Sequence, residues 1–134
     1  MSATHILVVD DEPDIRGLVQ EILEDEGYRV SAAESGEAAR LALRERRPDL
    51  ILLDIWMPDL DGITLLKEWS QDEGLPCPVI MMSGHGTVET AVEATRLGAY
   101  DFLEKPLSLA KLLLTVERAL EADKLQQENI GLKR

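Results

Sequence analysis

The chain has 134 residues, enough for one domain with its own core, and a formal net charge of −12. That charge repels phosphate backbones and anionic membranes, so direct binding of nucleic acid or of a membrane surface is not expected. The lone Cys77 excludes an internal disulfide, no apolar run approaches the ~20 residues of a membrane span, and the N-terminus lacks a signal-peptide layout, so the sequence reads as cytoplasmic.

The first predicted element is a strand at Ile6–Val9, with His5 structural at its start. It is a continuous apolar run, as expected of a strand covered on both faces. It ends in "VVDDEPD", which offers Asp10, Asp11, Glu12 and Asp14. A helix follows, with Ile15, Leu18, Val19, Ile22 and Leu23 at helical spacing, Pro13 in its first turn and Gly27 beyond its end. A strand at Tyr28–Ala32 leads to a second helix carrying Ala39, Ala42 and Leu43, with Ser35 as N-cap and Pro48 as stop. The third strand, Leu50–Leu53, closes on Asp54, where a charge is costly.

The stretch "LLDIWMPDLDG" then adds Asp59 and Asp61. Asp61 is expected to cap the third helix, with Gly62 easing the turn, and Asp59 to be a solvated loop residue. Ile63, Leu66 and Trp69 form that helix's stripe, ended by "EGLPCP", in which Cys77 reads as a small apolar residue. A fourth strand at Val79–Met82 ends at Ser83 in "MMSGHG", whose glycines give Ser83 freedom to move and whose His85 borders the same place. Val88, Ala91, Val92 and Thr95 form a fourth stripe, ended near Gly98. The last strand is Asp101–Glu104, followed by Lys105. Leu109, Leu112, Leu113, Val116 and Leu120 form the fifth stripe. From Ala122 the composition turns polar, so residues 1–122 read as the domain and 123–134 as a linker, or the start of a coiled coil, toward something further on.

Regular alternation of strand and helix implies a doubly wound α/β fold, a parallel sheet with helices on both faces. Ligands of such sheets bind at the carboxyl ends of the strands. That edge gathers Asp10, Asp11, Asp54, Ser83 and Lys105. Packed carboxylates repel one another and are penalised by desolvation, so they need a counter-charge. Mg²⁺, a hard cation with oxygen ligands, supplies one and Lys105 another. A carboxylate beside a hard cation, a lysine and a hydroxyl is suited to receive a phosphoryl group as an acyl phosphate.

The motifs "VVDDE", "LLDIWMPDLDG", "MSGHG" and "EKP", each closing its strand in order, resemble those of the receiver domain of bacterial two-component response regulators over about residues 4–122. The resemblance implies a flavodoxin-like, five-stranded sheet of order 2-1-3-4-5. It implies that Asp54 is the phosphoacceptor. Asp11 would be a direct Mg²⁺ ligand supported by Asp10, with the Trp56 backbone carbonyl a further ligand and Glu12 bracing the water shell. Lys105 would contact the phosphoryl oxygens and precede a cis Pro106, while Ser83 would bond the phosphoryl group and move. Phe102 takes the place of the switch aromatic; lacking a hydroxyl, it would turn without forming a hydrogen bond. Tyr100 falls outside that position.

The longer stretch "SGHGTVETAVEATRLGAYDFLEKP" resembles the receivers of nitrogen-regulatory-type activators. Those precede an AAA+ ATPase and a helix-turn-helix domain and act on the alternative sigma-factor polymerase. The implied partners are a sensor histidine kinase, the protein's own ATPase and DNA-binding domains, and a second copy joined through the fourth helix, fifth strand and fifth helix. The domain would assist only its own phosphorylation and dephosphorylation. Two other readings stand beside this one. "DLDG" mimics the motif of haloacid dehalogenase-type Mg²⁺ phosphohydrolases, and a degenerate module could signal by contact without being phosphorylated.

Overall fold

A computed structural model describes residues 4–132 apart from Pro58, Leu60, 72–74, Pro76 and 85–87, with side chains described for the same residues less Val88 and 126–132. His85 therefore lies outside the described residues. The elements are β1 (His5–Val9), α1 (Pro13–Asp25), β2 (Arg29–Ala33), α2 (Gly36–Glu45), β3 (Leu50–Asp54), α3 (Gly62–Gln71), β4 (Val79–Ser83), α4 (Val88–Arg96), β5 (Asp101–Glu104) and α5 (Leu109–Leu132). All five strands pair in parallel in the order β2-β1-β3-β4-β5, the sheet expected from the motifs.

The three central strands β1, β3 and β4 are buried along their whole length, which is why they read as unbroken apolar runs. Their side chains alternate between two cores. Leu7, Val9, Ile51, Leu53, Val79 and Met81 pack with Ala39 of α2, Leu65 and Leu66 of α3 and Ala94 of α4. Ile6, Val8, Leu50, Leu52, Ile80 and Met82 pack with Val19 and Leu23 of α1 and Leu112, Val116 and Ala119 of α5. Cys77 joins the first core, and burial pushes its thiol up to about 12, which keeps it protonated and inert. His5 ties β1 to β2, its Nε2 lying 2.7 Å from Ser31 Oγ.

The helix ends follow local chemistry. Pro13 opens α1, and Gly27 beyond its end has a φ of 92°. Ser35 Oγ accepts from the Ala38 N–H at 3.1 Å, and Asp61 Oδ1 from the Thr64 N–H at 2.8 Å.

One stripe is phased differently from expectation. In α4 the buried residue among those with described side chains is Ala94; Val92 is 45% exposed, and Thr95 turns its hydroxyl onto its own helix, at 2.9 Å from the Ala91 carbonyl. In α5 the expected stripe holds apart from Leu109, which is exposed: Leu112 and Val116 are buried, Leu113 and Leu120 pack against the same core, and Thr115 and Ala119 are buried beside them. Val92→Ala is accordingly expected to change the unfolding free energy in urea by less than about 0.5 kcal/mol. A loss near the ~2 kcal/mol expected when a buried valine loses both methyl groups would restore Val92 to the core. Helix α5 continues past Ala122 without a break, so the polar stretch through Leu132 is helical.

Candidate functional site

The carboxyl ends of β1, β3, β4 and β5 converge. The Asp10 N–H donates to the Ala33 carbonyl at 3.1 Å, extending the β1–β2 pairing by one residue and holding Asp10 fully buried. Asp10 Oδ1 accepts from the Glu12 N–H at 2.9 Å, and Arg16 donates to the Asp10 carbonyl at 2.9 Å, so the turn into α1 is folded around this residue. Arg16 was not marked by the sequence; a basic residue one turn into a helix has no distinguishing pattern.

Asp54 is the last residue of β3 and is 2% exposed. The Ile55 N–H donates to the Met82 carbonyl at 3.0 Å and keeps the strand end in register with β4. Ser83, fully buried, ends β4, and its carbonyl accepts from the Lys105 N–H at 2.9 Å. The Lys105–Pro106 peptide is cis.

Lys105 Nζ reaches into this edge. It lies 2.9 Å from Asp10 Oδ2, 3.0 Å from Glu12 Oε1 and 3.4 Å from Asp54 Oδ1. The contact with Asp10 is an ion pair without hydrogen-bond alignment. Asp10, Asp11, Glu12 and Asp54 each offer a carboxylate oxygen within 4.8 Å of the others. Asp10 and Asp54 are buried, whereas Asp11 is half-buried and Glu12 exposed, so the cluster opens to solvent on the Asp11–Glu12 side.

The electrostatics follow. Burial, with the neighbouring Asp10 charge added, pushes the Asp54 carboxyl from 3.8 up to about 7 against the pull of Lys105. Burial works to lower the Lys105 ammonium as well, but its contacts with Asp10 and Glu12 and the charge of Asp54 outweigh that and raise it. Lys105 therefore stays charged, and one ammonium cannot neutralise four carboxylates. An all-oxygen donor set with surplus negative charge fits a hard divalent cation.

Of the residues singled out by sequence, Asp10, Asp11, Asp54 and Lys105 meet directly. Glu12 does more than expected, pairing with Lys105 itself. Ser83 stands at the adjoining strand end. Trp56 lies two residues beyond Asp54 and is 52% exposed. Phe102 is half-buried against the core facing α2, α3 and α4, while Tyr100 is exposed. Asp14 is not part of the cluster.

Asp59 is exposed, as expected of a solvated loop residue, and in addition its two carboxylate oxygens accept from the Gly36 and Glu37 N–H groups at the start of α2, each at 3.2 Å. Gly62 is a correction. A Cβ there would stand 2.3 Å from the Asp54 carbonyl oxygen, so close approach rather than turn geometry requires glycine.

Residues 6–117 match the family model of the response regulator receiver domain. The nitrogen assimilation regulatory protein NtrX of Azorhizobium caulinodans is 50% identical over 133 residues, 98% of this chain but 29% of that relative's length. The crystal structure of NtrX from Brucella abortus superposes with a TM-score of 0.89 at 50% identity, covering 98% of this chain and 30% of the other. The crystal structure of its receiver domain alone gives 0.80 at 52% identity, covering 87% of this chain and 98% of the other.

Proposed function

The chain belongs to the response regulator receiver family, and from that premise we propose that Asp54 is the phosphoacceptor of this receiver, served by Lys105, Ser83 and a Mg²⁺ site. One observation carries the reading: Lys105 Nζ lies 3.4 Å from a buried Asp54 oxygen inside a four-carboxylate cluster. Asp11, Asp54 and the Trp56 carbonyl would hold the ion, with Asp10 supporting. Mg²⁺ supplies neutralisation of the charge on the transferring oxygens.

An Asp54 oxygen attacks the phosphorus of a phosphohistidine on a sensor histidine kinase. The P–N bond breaks, its electron pair leaves with the imidazole, and an acyl phosphate remains on Asp54. Lys105 exchanges its carboxylate contacts for the new phosphoryl oxygens, and the Ser83 hydroxyl bonds one of them. Phe102 then turns inward, which changes the α4-β5-α5 face. Val92 and Tyr100 are exposed on α4 and just before β5, and so are available to a second copy or to a downstream domain.

The chain spans 29% of the relative it matches. Residues 1–122 form the signalling domain, and the stretch 123–134, helical through Leu132, leads toward an AAA+ ATPase and a DNA-binding domain of a nitrogen-regulatory-type activator. The domain assists only its own phosphorylation and dephosphorylation, in the cytoplasm. No helix among the described residues is long and apolar enough to cross a membrane. The phosphohydrolase reading is disfavoured, because both oxygens of Asp59 are engaged with α2.

Incubation with acetyl phosphate and Mg²⁺, followed by intact-mass measurement, tests the reading. A single phosphoryl adduct is expected, absent from Asp54→Asn and absent with a chelator. No adduct on the unmodified protein would overturn it, and so would an adduct that survives Asp54→Asn.

A further inference from the structure

We infer that Asp59 is a positioning residue for the metal-binding loop, fastening the segment that carries the Trp56 carbonyl to the first turn of α2. The inference rests on the Mg²⁺ site proposed above and adds a residue to it. The residues on either side of Asp59 are held by backbone bonds: the Ile55 N–H donates to the Met82 carbonyl at 3.0 Å, and the Gly62 N–H donates to the Ile55 carbonyl at 2.7 Å. Between them, Asp61 turns onto its own helix, bonding the Thr64 N–H. Asp59 instead crosses to an element more than twenty residues earlier in the chain.

The chemistry of that landing point is specific. The first-turn donors of α2 are divided between two residues. Asp59 takes the Gly36 and Glu37 N–H groups, while Ser35 takes the Ala38 N–H with its hydroxyl and the Ala39 N–H with its carbonyl. Gly36 is buried, so water is a poor substitute partner for its N–H. An anionic carboxylate on two N-terminal donors also gains from the helix dipole. The helix end thus holds Asp59 in place, and Asp59 in turn holds the loop. Ser35 caps the same helix through bonds to the Ala38 and Ala39 N–H groups, which provides a control built into the fold.

The test compares Asp59→Ala, Asp59→Asn and Ser35→Ala in the 134-residue chain. The Mg²⁺ dissociation constant is measured by calorimetric titration with the metal alone, and the rate of modification by acetyl phosphate is followed as a function of Mg²⁺ concentration. Asp59→Ala is expected to weaken Mg²⁺ about tenfold, in the range seen when groups that orient metal ligands are removed. Its phosphorylation rate should return to near wild type at saturating Mg²⁺, because Asp54 and Lys105 are untouched. Asp59→Asn, which keeps one acceptor, should fall between, and Ser35→Ala should bind Mg²⁺ as the wild type does.

Unchanged Mg²⁺ affinity in Asp59→Ala overturns the inference. Equal weakening in Ser35→Ala does so too, since the effect would then belong to helix stability. If Asp59→Ala does not fold, the comparison of Asp59→Asn with Ser35→Ala decides by the same criterion. A wild-type protein that binds no Mg²⁺ also overturns it. A wild-type protein that binds Mg²⁺ but takes no phosphoryl group sinks the phosphoacceptor reading alone, and the metal titrations still decide this one.

Discussion

Asp54→Asn is expected to make the metal-free protein more stable at pH 8, by about 2 kcal/mol. The native carboxylate is 2% exposed, and the ionised Asp10 adds to the cost of its charge. Its folded-state value, about 7, lies above the ordinary 3.8, so the folded protein prefers the neutral acid. The sign is opposite to that of a salt-bridged aspartate. The penalty is fully present above pH 7, shrinks as pH falls through 7 and is gone near 3.8. The amide removes the buried charge at nearly constant volume. The gain stays below the full size of the shift because the amide that replaces the carboxyl is itself a buried polar group that needs partners. Thermal unfolding of both proteins from pH 8 to pH 5, with chelator, should show the largest difference at pH 8 and convergence below 7. Added Mg²⁺ should raise the wild-type midpoint more than that of the variant, because binding to the native state alone stabilises it. A variant no more stable than wild type at pH 8 would show that Lys105 already neutralises Asp54. A more stable variant would show instead that stability is spent at this position, at the residue proposed above to be the phosphoacceptor.

The sheet was legible because its central strands are buried on both faces. Ile6–Val9, Leu50–Leu53 and Val79–Met82 each stand out as continuous apolar runs, short of the full strand by a single residue at one end. The site was legible for a related reason. A parallel sheet carries whatever follows each apolar run to one edge, so Asp10, Asp54, Ser83 and Lys105 could be brought together before any distance was known. The α4 stripe missed by its phase: Val88, Ala91, Val92 and Thr95 share one helical face, but among the residues with described side chains the buried one is Ala94, two positions past Val92. Asp59 was legible in part. It is exposed, as an acidic loop residue should be, but its partners are backbone N–H groups that leave no mark in the sequence. Glu12 stood between these cases. Its place beside the acidic pair was visible, but its bond to Lys105, 93 positions away, was not.

Gly62→Ala is expected to destabilise the fold by about 3 kcal/mol, and to slow phosphorylation although no side chain of the site is altered. A Cβ on Gly62 would meet the Asp54 carbonyl oxygen at 2.3 Å, the Ile55 Cα at 3.0 Å and the Asp54 carbonyl carbon at 3.1 Å. All three are backbone atoms, so no rotamer change relieves the contact. Relief requires α3 to move away from the end of β3, which stretches the 2.7 Å bond from the Gly62 N–H to the Ile55 carbonyl. Backbone conformation is not the obstacle: among the described glycines, Gly27 and Gly98 have positive φ and Gly62 does not. Gly17 supplies the contrast. It lies inside α1, where an added Cβ would meet nothing within 4 Å, so Gly17→Ala should stabilise by about 0.5–1 kcal/mol through helix propensity alone. Urea unfolding of the two variants measures both signs in one experiment, and acetyl phosphate labelling at saturating Mg²⁺ reads the site. A Gly62→Ala protein within about 0.5 kcal/mol of wild type would mean that α3 can slide from β3 at little cost. If such a protein also labelled at the wild-type rate, the position of Asp54 would not depend on how closely that helix is packed. Loss of labelling in a Gly62→Ala protein shown to be folded places the glycine in the architecture around Asp54, since it then fixes where the end of β3 stands relative to α3.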